Sequence, residues 1–315
     1  MKIILSRKGF DGGTGDGEVP SPIFPDGKIL SLPVPSDEKD STCYENIRCH
    51  RGVGGKLGAI VADLTGDRAF AKKPAHFDPD LRKEALKRLP GWLPCFGQVG
   101  AAQGHLYNQK VGVDGLFLFY GWFHRVVKKD GHWAYDPDEP DIHALWGWLQ
   151  VGEVCDIAKG QDVPCWARYH PHWRLFRFRK TFKRRNTLYI AKRRLDFLEC
   201  AGNLPGGGVF PKFDKPLQLT ADGKSRRNWK LPFWFAGPTA LSYHGDKSRW
   251  KKTGAGVQLH SAYPGQEFVL DLDTPKRRDG AACWLKEIFE QASGSRSKST
   301  LQDRMNDIQL TFVKK

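Results

Sequence analysis

The sequence predicts an α+β protein built on a mixed, largely antiparallel sheet or partly open barrel, with flanking helices and long ordered loops. Short apolar segments rich in β-branched and aromatic residues recur along the chain, whereas amphipathic helical patterns are few. The 315 residues are enough for one large core. No linker divides the chain before a polar stretch near its end. We therefore expect one domain over residues 1–292, followed by a polar hinge and C-terminal segment over 293–315.

The N-terminal part of the chain predicts three short strands and one loop. Residues 2–5 form an apolar run that is too short for a signal peptide, so we expect a first strand there. Residues 28–34 and 59–64 predict two more strands. Residues 11–17 are rich in glycine but lack the Gly-Lys-Ser/Thr ending of a phosphate-binding P-loop. We expect them to form a mobile loop.

The rest of the chain predicts both helices and strands. Asp78 is suited to cap a helix and Pro79 to its first position, which predicts a helix over 78–89. Residues 200–238 are rich in proline and glycine, which favours long ordered loops. The remaining predicted elements are a helix over 101–108, a strand over 186–191, an amphipathic helix over 281–291 and a final strand over 308–313.

Composition indicates a reducing compartment and a polyanionic partner. The formal net charge is +15, and a basic surface attracts polyanions, so DNA or a nucleotide is the expected partner. The seven cysteines form no Cys-x-x-Cys pair, which is typical of reduced thiols. No apolar run approaches the roughly 20 residues of a membrane span. We therefore expect a cytoplasmic protein with no membrane partner.

The clustering of the basic residues favours nucleic-acid or nucleotide binding over simple solubility, which is the alternative. Within 174–185 aromatic residues are interleaved with cations, and a strand there would place the aromatic side chains inside and the cations outside. A turn-rich segment, 241–250, offers an arginine as phosphate clamp and a tryptophan as stacking platform. The candidate nucleic-acid contacts are Arg7, Lys8, Arg179, Lys180, Arg184, Arg185, Arg193, Arg194, Arg249 and Trp250.

The stretch 96–154 predicts a pocket for a planar ring. Its two strand-like segments place glycine beside tryptophan or tyrosine, which allows a flat group to approach closely. The segment before them carries two glutamines, whose amide edges can pair with a nucleobase. The predicted substrate-binding residues are Gln98, Gln103, Tyr120, Trp122, Trp148, Gln150 and Tyr243.

Histidines in and around this stretch predict proton transfer, because imidazole gains and loses a proton near neutral pH. His105 and His143 are the main candidates, with Glu267 as a carboxylate partner. A structural role is the alternative for each of these residues. The complete predicted catalytic set is His105, His143, Asp11, His76, His244 and Glu267.

The ten histidines also raise the question of a metal site. His170 and His172 form the tightest pair, but the proline between them favours a turn in which the rings diverge. His76, Asp78 and Asp80 form a second group, yet the two aspartates already fit a helix start. No spacing typical of a zinc or iron site is present. The sequence therefore assigns no metal and no cofactor.

Eight segments in a specific order carry a resemblance to a known family. They lie at 5–11, 20–27, 76–81, 96–106, 145–153, 186–191, 241–244 and 265–268. Together they resemble the third family of nucleotide modification associated domains, over about residues 1–290. The resemblance implies a place in prokaryotic or phage systems that modify nucleotides in DNA, with other proteins of such a system as partners. It carries over no catalytic residue. The strands at 114–120 and 149–154 are also similar to paired strands of PUA-like barrels.

These observations predict an enzyme, a transferase or hydrolase, that modifies a nucleotide or a DNA base. The base would be held in the aromatic pocket and a histidine would move a proton. Two alternatives remain open at this point. One is a non-catalytic reader of modified DNA bases, and the other is an enzyme that acts on free nucleotides.

Overall fold

The computed structural model shows a large curled sheet with helices and two small sheets packed around it. The structure describes residues 1–10, 19–37, 42–50, 53–197, 203–235, 241–254, 256–262 and 267–292. Asp11, with the rest of the predicted glycine-rich loop, lies outside these ranges. The predicted hinge and final strand after residue 292 also lie outside the described residues.

Nine of the described strands form the main sheet. Its central path runs through β14 (Glu267–Asp271), β1 (Lys2–Arg7), β6 (Leu116–Lys129), β8 (Ile142–Asp156), β9 (Thr187–Ala191) and β5 (Cys95–Gln98). The shorter strands β2 (Ser21–Ile23) and β7 (His132–Tyr135) pair with β6, and β10 (Gly207–Val209) pairs with β8. β1 and β2 run parallel to β6, and every other pairing in the sheet is antiparallel.

The other described elements flank this sheet. The two small sheets consist of β3 (Val34–Pro35) with β4 (Ala75–His76), and of β11 (Asn228–Leu231), β12 (Trp250–Thr253) and β13 (Gly256–His260). The α-helices are α1 (Leu57–Thr65), α2 (Gly100–Asn108), α3 (Pro171–Phe176) and α4 (Pro275–Ala292). None of these helices has the length and apolar character that a membrane crossing requires.

The main sheet curls so strongly that its edge strand β5 approaches β6 across the concave face. The ring of Phe96, on the edge strand β5, lies with its centroid 5.1 Å from that of Phe117 and 5.2 Å from that of Phe119, both on β6. Strands β9 and β8 separate β5 from β6 along the sheet, so these contacts require a pronounced curl. The inner, concave face is packed with apolar and aromatic side chains. The sheet is not closed into a barrel.

The outer face of the sheet buries a second core. Leu5, Leu118 and Phe268 point outward and pack with the apolar side of α4 and with the three-stranded sheet. Leu285 and Ile288 of α4 are fully buried in this core. Each such side chain contributes roughly 1.5–3 kcal/mol by burial, so the two faces together fix the curl of the sheet.

The predicted α+β class and the mixed, partly open sheet are confirmed. The predicted helices over 101–108 and 281–291 are present as α2 and as part of α4, and β9 matches the strand predicted over 186–191. The strand predicted over 59–64 is wrong, because this segment lies in α1. Its buried residues Leu57, Ile60, Val61 and Leu64 follow helical spacing.

Three other local predictions are corrected by tertiary contacts. The segment 78–89 contains only one 3-10 turn, Lys83–Ala85, because the Asp78 carboxylate bonds to Gly97 on β5 and not to a helix start of its own. The segment 174–185 is not a strand, since α3 leads into a 3-10 turn at Lys180–Lys183. The strand predicted over 28–34 is reduced to β3 and isolated bridges.

Candidate active site

A buried carboxylate, Glu267, lies where β14 begins at one end of the inner face. Ser6 is its direct partner in the register between β1 and β14, and Lys8 lies two residues further on the same face. Glu267 Oε1 accepts hydrogen bonds from Ser6 Oγ at 3.1 Å, Lys8 Nζ at 2.9 Å and Gln98 Nε2 at 2.5 Å. Glu267 is only 1 % exposed, so its ion pair with Lys8 is shielded from water. We call these four residues the Glu267 cluster.

The second oxygen of this carboxylate, Oε2, is also buried but has no hydrogen-bond partner among the residues that the structure describes. A buried acceptor without a donor carries a desolvation cost of about 1–3 kcal/mol, and more when it is charged. Such a group in a folded protein calls for an explanation, such as a bound water or ion, strain or a catalytic role. Glu267 Oε2 is therefore the acceptor of this cluster whose hydrogen-bonding capacity the described residues leave unused.

Two neighbouring pairs fix the surroundings of the Glu267 cluster. Gln103 of α2 and the hydroxyl of Tyr189 on β9 exchange hydrogen bonds of 3.0 and 3.1 Å, and both residues are buried. Burial raises the pKa of Tyr189, so its phenol stays protonated. The ammonium of Lys8 lies 4.8 Å from the centroid of the Phe96 ring. This contact orients Lys8 toward the inner face.

A second polar group adjoins the first, because Gly97 directly precedes Gln98. We call it the histidine–aspartate cluster, and its members are His76, Asp78, His170, His172 and Asn186. The backbone N–H of Gly97 donates to Asp78 Oδ1 at 2.8 Å. The ring of His172 lies directly on Gly97, where a Cβ atom would clash with it. Glycine at this position of β5 is what allows the imidazole to reach the aspartate.

The two oxygens of Asp78 have different partners. Oδ1 accepts the Gly97 N–H and a hydrogen bond from His170 Nε2 at 3.1 Å. Oδ2 lies 3.6 Å from His172 Nε2 and 3.9 Å from His76 Nε2. The ligand atoms of His76, Asp78 and His172 all lie within 4.8 Å of one another. The cluster therefore brings two imidazole nitrogens and one carboxylate oxygen together.

The charge states in this cluster follow from burial and from the neighbouring charges. Burial lowers the pKa of His76 to about 4 and that of His172 to about 3, although Asp78 opposes both shifts. Burial would raise the pKa of Asp78, but the hydrogen bond from His170 and the nearby imidazoles lower it to about 2. At neutral pH the Asp78 carboxylate is therefore ionised, and the imidazoles of His76 and His172 are neutral.

The outer face of the sheet carries a separate group, the His143 cluster, formed by Trp122, His143, Arg226 and Trp229. Trp229 Nε1 donates to His143 Nδ1 at 3.0 Å, whereas His143 Nε2 is buried and has no partner within the described ranges. The guanidinium of Arg226 lies 4.1 Å from the centroid of the Trp122 ring. Burial, reinforced by Arg226 and other arginines, lowers the pKa of His143 well below its ordinary value. His143 is therefore neutral in a basic environment.

Several predicted pocket residues belong to the packed interior. Tyr120 lies on the outer face among Trp229 and Phe268, with ring centroids 5.0 and 6.3 Å away. Trp148 packs against the outer core and donates Nε1 to a backbone carbonyl. Gln150 is buried, and its Nε2 donates to Asp196 at 2.5 Å. The structure does not bring these three residues to the Glu267 cluster.

Other predicted residues lie beside the outer edge of β14. His105, on α2, bonds to Ser242 Oγ at 3.0 Å, and its ring lies 4.3 Å from that of Tyr243. Burial lowers the pKa of His105. His244 bonds through its two ring nitrogens to the backbones of Ser242 and Ala262, and burial lowers its pKa to about 4.

The predicted basic residues fall on several surfaces. Arg179 pairs at 3.9 Å with an exposed aspartate, and the guanidinium of Arg185 lies on Gly104 of α2. Trp250 donates to the backbone of His244, and Arg249 to that of His260. Four of the other predicted basic residues are exposed, namely Lys180, Arg184, Arg193 and Arg194. Arg7 is half-buried near His143, and Lys8 belongs to the Glu267 cluster.

The sequence prediction included single members of the site but missed its assembly. Glu267, Gln98 and His76 were expected to be functional, whereas Asp78 was interpreted as a helix cap and His172 as part of a turn. The sequence signal that could have indicated this site is a spacing of two residues. It occurs between His76 and Asp78 and again between His170 and His172. Nothing in the local sequence indicates that two such distant pairs meet.

Comparison with known proteins identifies a family but no individual relative. The family model described as nucleotide modification associated domain 3 matches residues 2–271, and so includes the Glu267 cluster and the histidine–aspartate cluster. No curated protein and no solved structure matches the chain. The match covers most of the 315 residues and is in accord with the resemblance of the ordered motifs. The chain therefore belongs to the nucleotide modification associated domain 3 family, whose name indicates a role in nucleotide or DNA modification.

Proposed function

We propose that this protein is an enzyme that modifies a nucleobase, in DNA or in a nucleotide, at the Glu267 cluster. The observation that carries the proposal is the buried Oε2 atom of Glu267, to which no residue in the described part of the chain donates. A carboxylate can accept a hydrogen bond from the amino or imino edge of a base, as acidic side chains do with cytosine N4. Membership of the family supports a nucleotide or DNA substrate.

The hydrogen bonds of the neighbouring glutamines favour Glu267 as the residue that contacts the base. The side-chain amide of Gln98 already has partners within the protein, because its Nε2 donates to Glu267 and its Oε1 accepts from Val99 N. The side-chain amide of Gln103 is likewise hydrogen-bonded to the hydroxyl of Tyr189. The predicted base-reading glutamines therefore act as supports, and the carboxylate itself is the open acceptor.

A basic and aromatic segment lies beside this centre and is suited to hold a polynucleotide. The ring centroid of Phe182 lies 5.0 Å from that of His172, so the residues around it adjoin the histidine–aspartate cluster. Phe178 in the same segment is 76 % exposed, among the exposed cations Arg177 and Lys180. Exposed aromatic rings among cations bind bases by stacking and phosphates by charge. This surface supports DNA over a free nucleotide as the substrate.

For proton transfer, His105 is a better candidate than His143. His105 is on α2, the helix that also supplies Gln103, and its partner Ser242 hydrogen-bonds to Val269, two residues from Glu267. His143 points to the opposite face of the sheet. The lowered pKa of His105 favours the neutral imidazole, which can accept a proton.

The proposal is tested by nucleoside mass spectrometry on DNA and nucleotide pools from cells that produce the protein. The wild-type chain and Glu139→Gln, a control at a half-exposed carboxylate paired with Arg125, should yield a modified nucleoside. Glu267→Gln should lower the yield about 10–100-fold, because an amide presents only one acceptor and no charge. A modified nucleoside at equal abundance in the Glu267→Gln cells would refute the proposal.

DNA-binding and nucleotide-binding measurements on the purified protein distinguish the two alternative functions. A reader would bind modified DNA more tightly than plain DNA and leave its nucleosides unaltered. An enzyme for free nucleotides would saturate with a mononucleotide and show little dependence on salt. DNA binding through several phosphates would weaken steeply with salt, and the double variant Arg193→Ala/Arg194→Ala would lower the log–log slope by about one or two.

A further inference from the structure

We propose that His76, Asp78 and His172 bind one divalent first-row transition-metal ion. Two imidazole nitrogens and one carboxylate oxygen are a ligand set that such ions take in proteins, with further positions left for water or substrate. The inference goes beyond the proposed function, which needs only Glu267. It rests on the hydrogen-bond geometry of the histidine–aspartate cluster.

The hydrogen bonds fix the tautomer of His172. Asn186 Nδ2 donates to the backbone carbonyl of His172 at 2.9 Å, and a carbonyl only accepts, so the amide has a defined orientation. Its Oδ1 therefore faces His172 Nδ1 at 2.9 Å and accepts the Nδ1–H. Nε2 of the neutral ring then carries a lone pair, and that lone pair faces Asp78. A partner on the other ring nitrogen is the usual support of a metal-binding histidine.

Asp78 is held in a complementary way. Both donors to this carboxylate, Gly97 N and His170 Nε2, approach Oδ1. His170 has Nε2–H available because its Nδ1 accepts the N–H of His172 at 3.3 Å. Asp78 Oδ2 therefore faces the lone pair of His172 Nε2 at 3.6 Å. Both atoms are acceptors, and they repel each other unless a cation or a proton lies between them.

The distances fit a metal ion. Ligand atoms about 2.1 Å from a tetrahedral ion are roughly 3.4 Å apart. The two separations from Asp78 Oδ2 are 3.6 Å to His172 and 3.9 Å to His76, so a small movement of the partly exposed His76 completes the set. The Phe182 ring covers one side of His172 and limits access of water there.

The ion would lie next to the proposed base-binding carboxylate. Gly97, which bonds to Asp78, is followed directly by Gln98, which bonds to Glu267. A bound divalent ion can lower the pKa of a coordinated water or polarise a substrate oxygen beside the base. Lys8 lies near enough to His76 to contribute to its lowered pKa, so the two clusters share one electrostatic environment.

The test is a titration of the full chain, freed of metal by chelator, with Co²⁺ and Zn²⁺ in the absence of any nucleotide. The wild-type protein should bind one equivalent, and Co²⁺ should give visible absorption bands. His76→Ala and Asp78→Asn should each weaken binding at least about tenfold. His132→Ala, at an exposed histidine that pairs with Asp63, is the matched control and should bind as the wild type does.

His76 is 20 % exposed and is therefore the substitution that best preserves the fold, which circular dichroism can verify. Absence of saturable binding in the wild type would overturn the inference, and so would unchanged affinity in folded His76→Ala or Asp78→Asn. Because no nucleotide is present, the result is independent of the nucleoside measurement. A metal-binding protein that modifies no nucleoside would refute the proposed function alone.

Discussion

The inner and outer faces of the main sheet carry different chemistry at the same end. On the inner face the Glu267 cluster combines a carboxylate with an ammonium and an amide. The histidine–aspartate cluster lies at the edge strand β5, where the His172 ring packs on the side of Gly97 opposite to the side chains of Phe96 and Gln98. The His143 cluster on the outer face combines a neutral histidine with arginine and tryptophan. Strand alternation separates them, since Lys8 and Glu267 point inward while their neighbours Arg7 and Phe268 point outward.

The difference shows which buried polar groups are ready to meet a substrate. The Glu267 carboxylate on the inner face and the Asp78 carboxylate at the edge of β5 each have one oxygen held by several donors, and no described residue donates closely to the other oxygen. On the outer face His143 Nε2 also has no partner among the described residues, but it belongs to a neutral ring that Trp229 holds within an aromatic core. The inner arrangement orients acceptors, whereas the outer one packs a ring. We therefore assign the chemistry to the inner face.

The largest expected effect on stability comes from breaking the buried ion pair of the inner face. Glu267→Ala would leave the ammonium of Lys8, which is 13 % exposed, without its partner. We expect a loss of about 3–5 kcal/mol in the free energy of unfolding, measured by urea denaturation. His143→Leu on the outer face, which leaves only the Trp229 N–H without an acceptor, should cost about 1–3 kcal/mol. Equal costs would contradict the distinction between the two faces.

A smaller effect is expected from filling the space above Gly97. In Gly97→Ala the new Cβ would clash with the His172 ring and displace it from Asp78. We expect a loss of about 1–3 kcal/mol in stability together with weaker metal binding. Gly112→Ala is the control, because a Cβ there meets no atom within 4 Å. Undiminished metal affinity in folded Gly97→Ala would show that His172 is not a ligand.

The smallest effect is a change in pH dependence. The folded pKa of His143 lies well below the unfolded value of about 6.5, so below pH 6.5 the unfolded chain takes up a proton that the folded chain does not. The contribution of the neutral His143 to the free energy of unfolding is fully present above pH 6.5 and decreases as the pH falls toward the folded pKa. His143→Gln removes this uptake while keeping an acceptor for Trp229. The slope of unfolding free energy between pH 6.5 and 5 should decrease by about 1 kcal/mol per pH unit on average, and identical slopes would contradict this.

Local sequence patterns predicted the elements better than they predicted the site. The helix α2 and the strand β9 were expected from periodicity, and their side chains Gln103 and Tyr189 meet across the structure. The pairing of Gln98 with Glu267, 169 positions apart, depends on the curl of the sheet and has no local signature. Asp78 shows the limit most clearly, because its local sequence favours a cap while a distant strand supplies its actual donor.

Comparison of Glu267→Gln with His143→Gln in the nucleoside assay tests the central claim most directly. Both substitutions replace a buried group by the same neutral amide, one on each face of the sheet. If chemistry occurs on the inner face, Glu267→Gln lowers the yield of modified nucleoside about 10–100-fold, as expected for loss of a hydrogen bond to a charged group. His143→Gln should retain most of the yield. Loss of product in His143→Gln with retention in Glu267→Gln would contradict the claim.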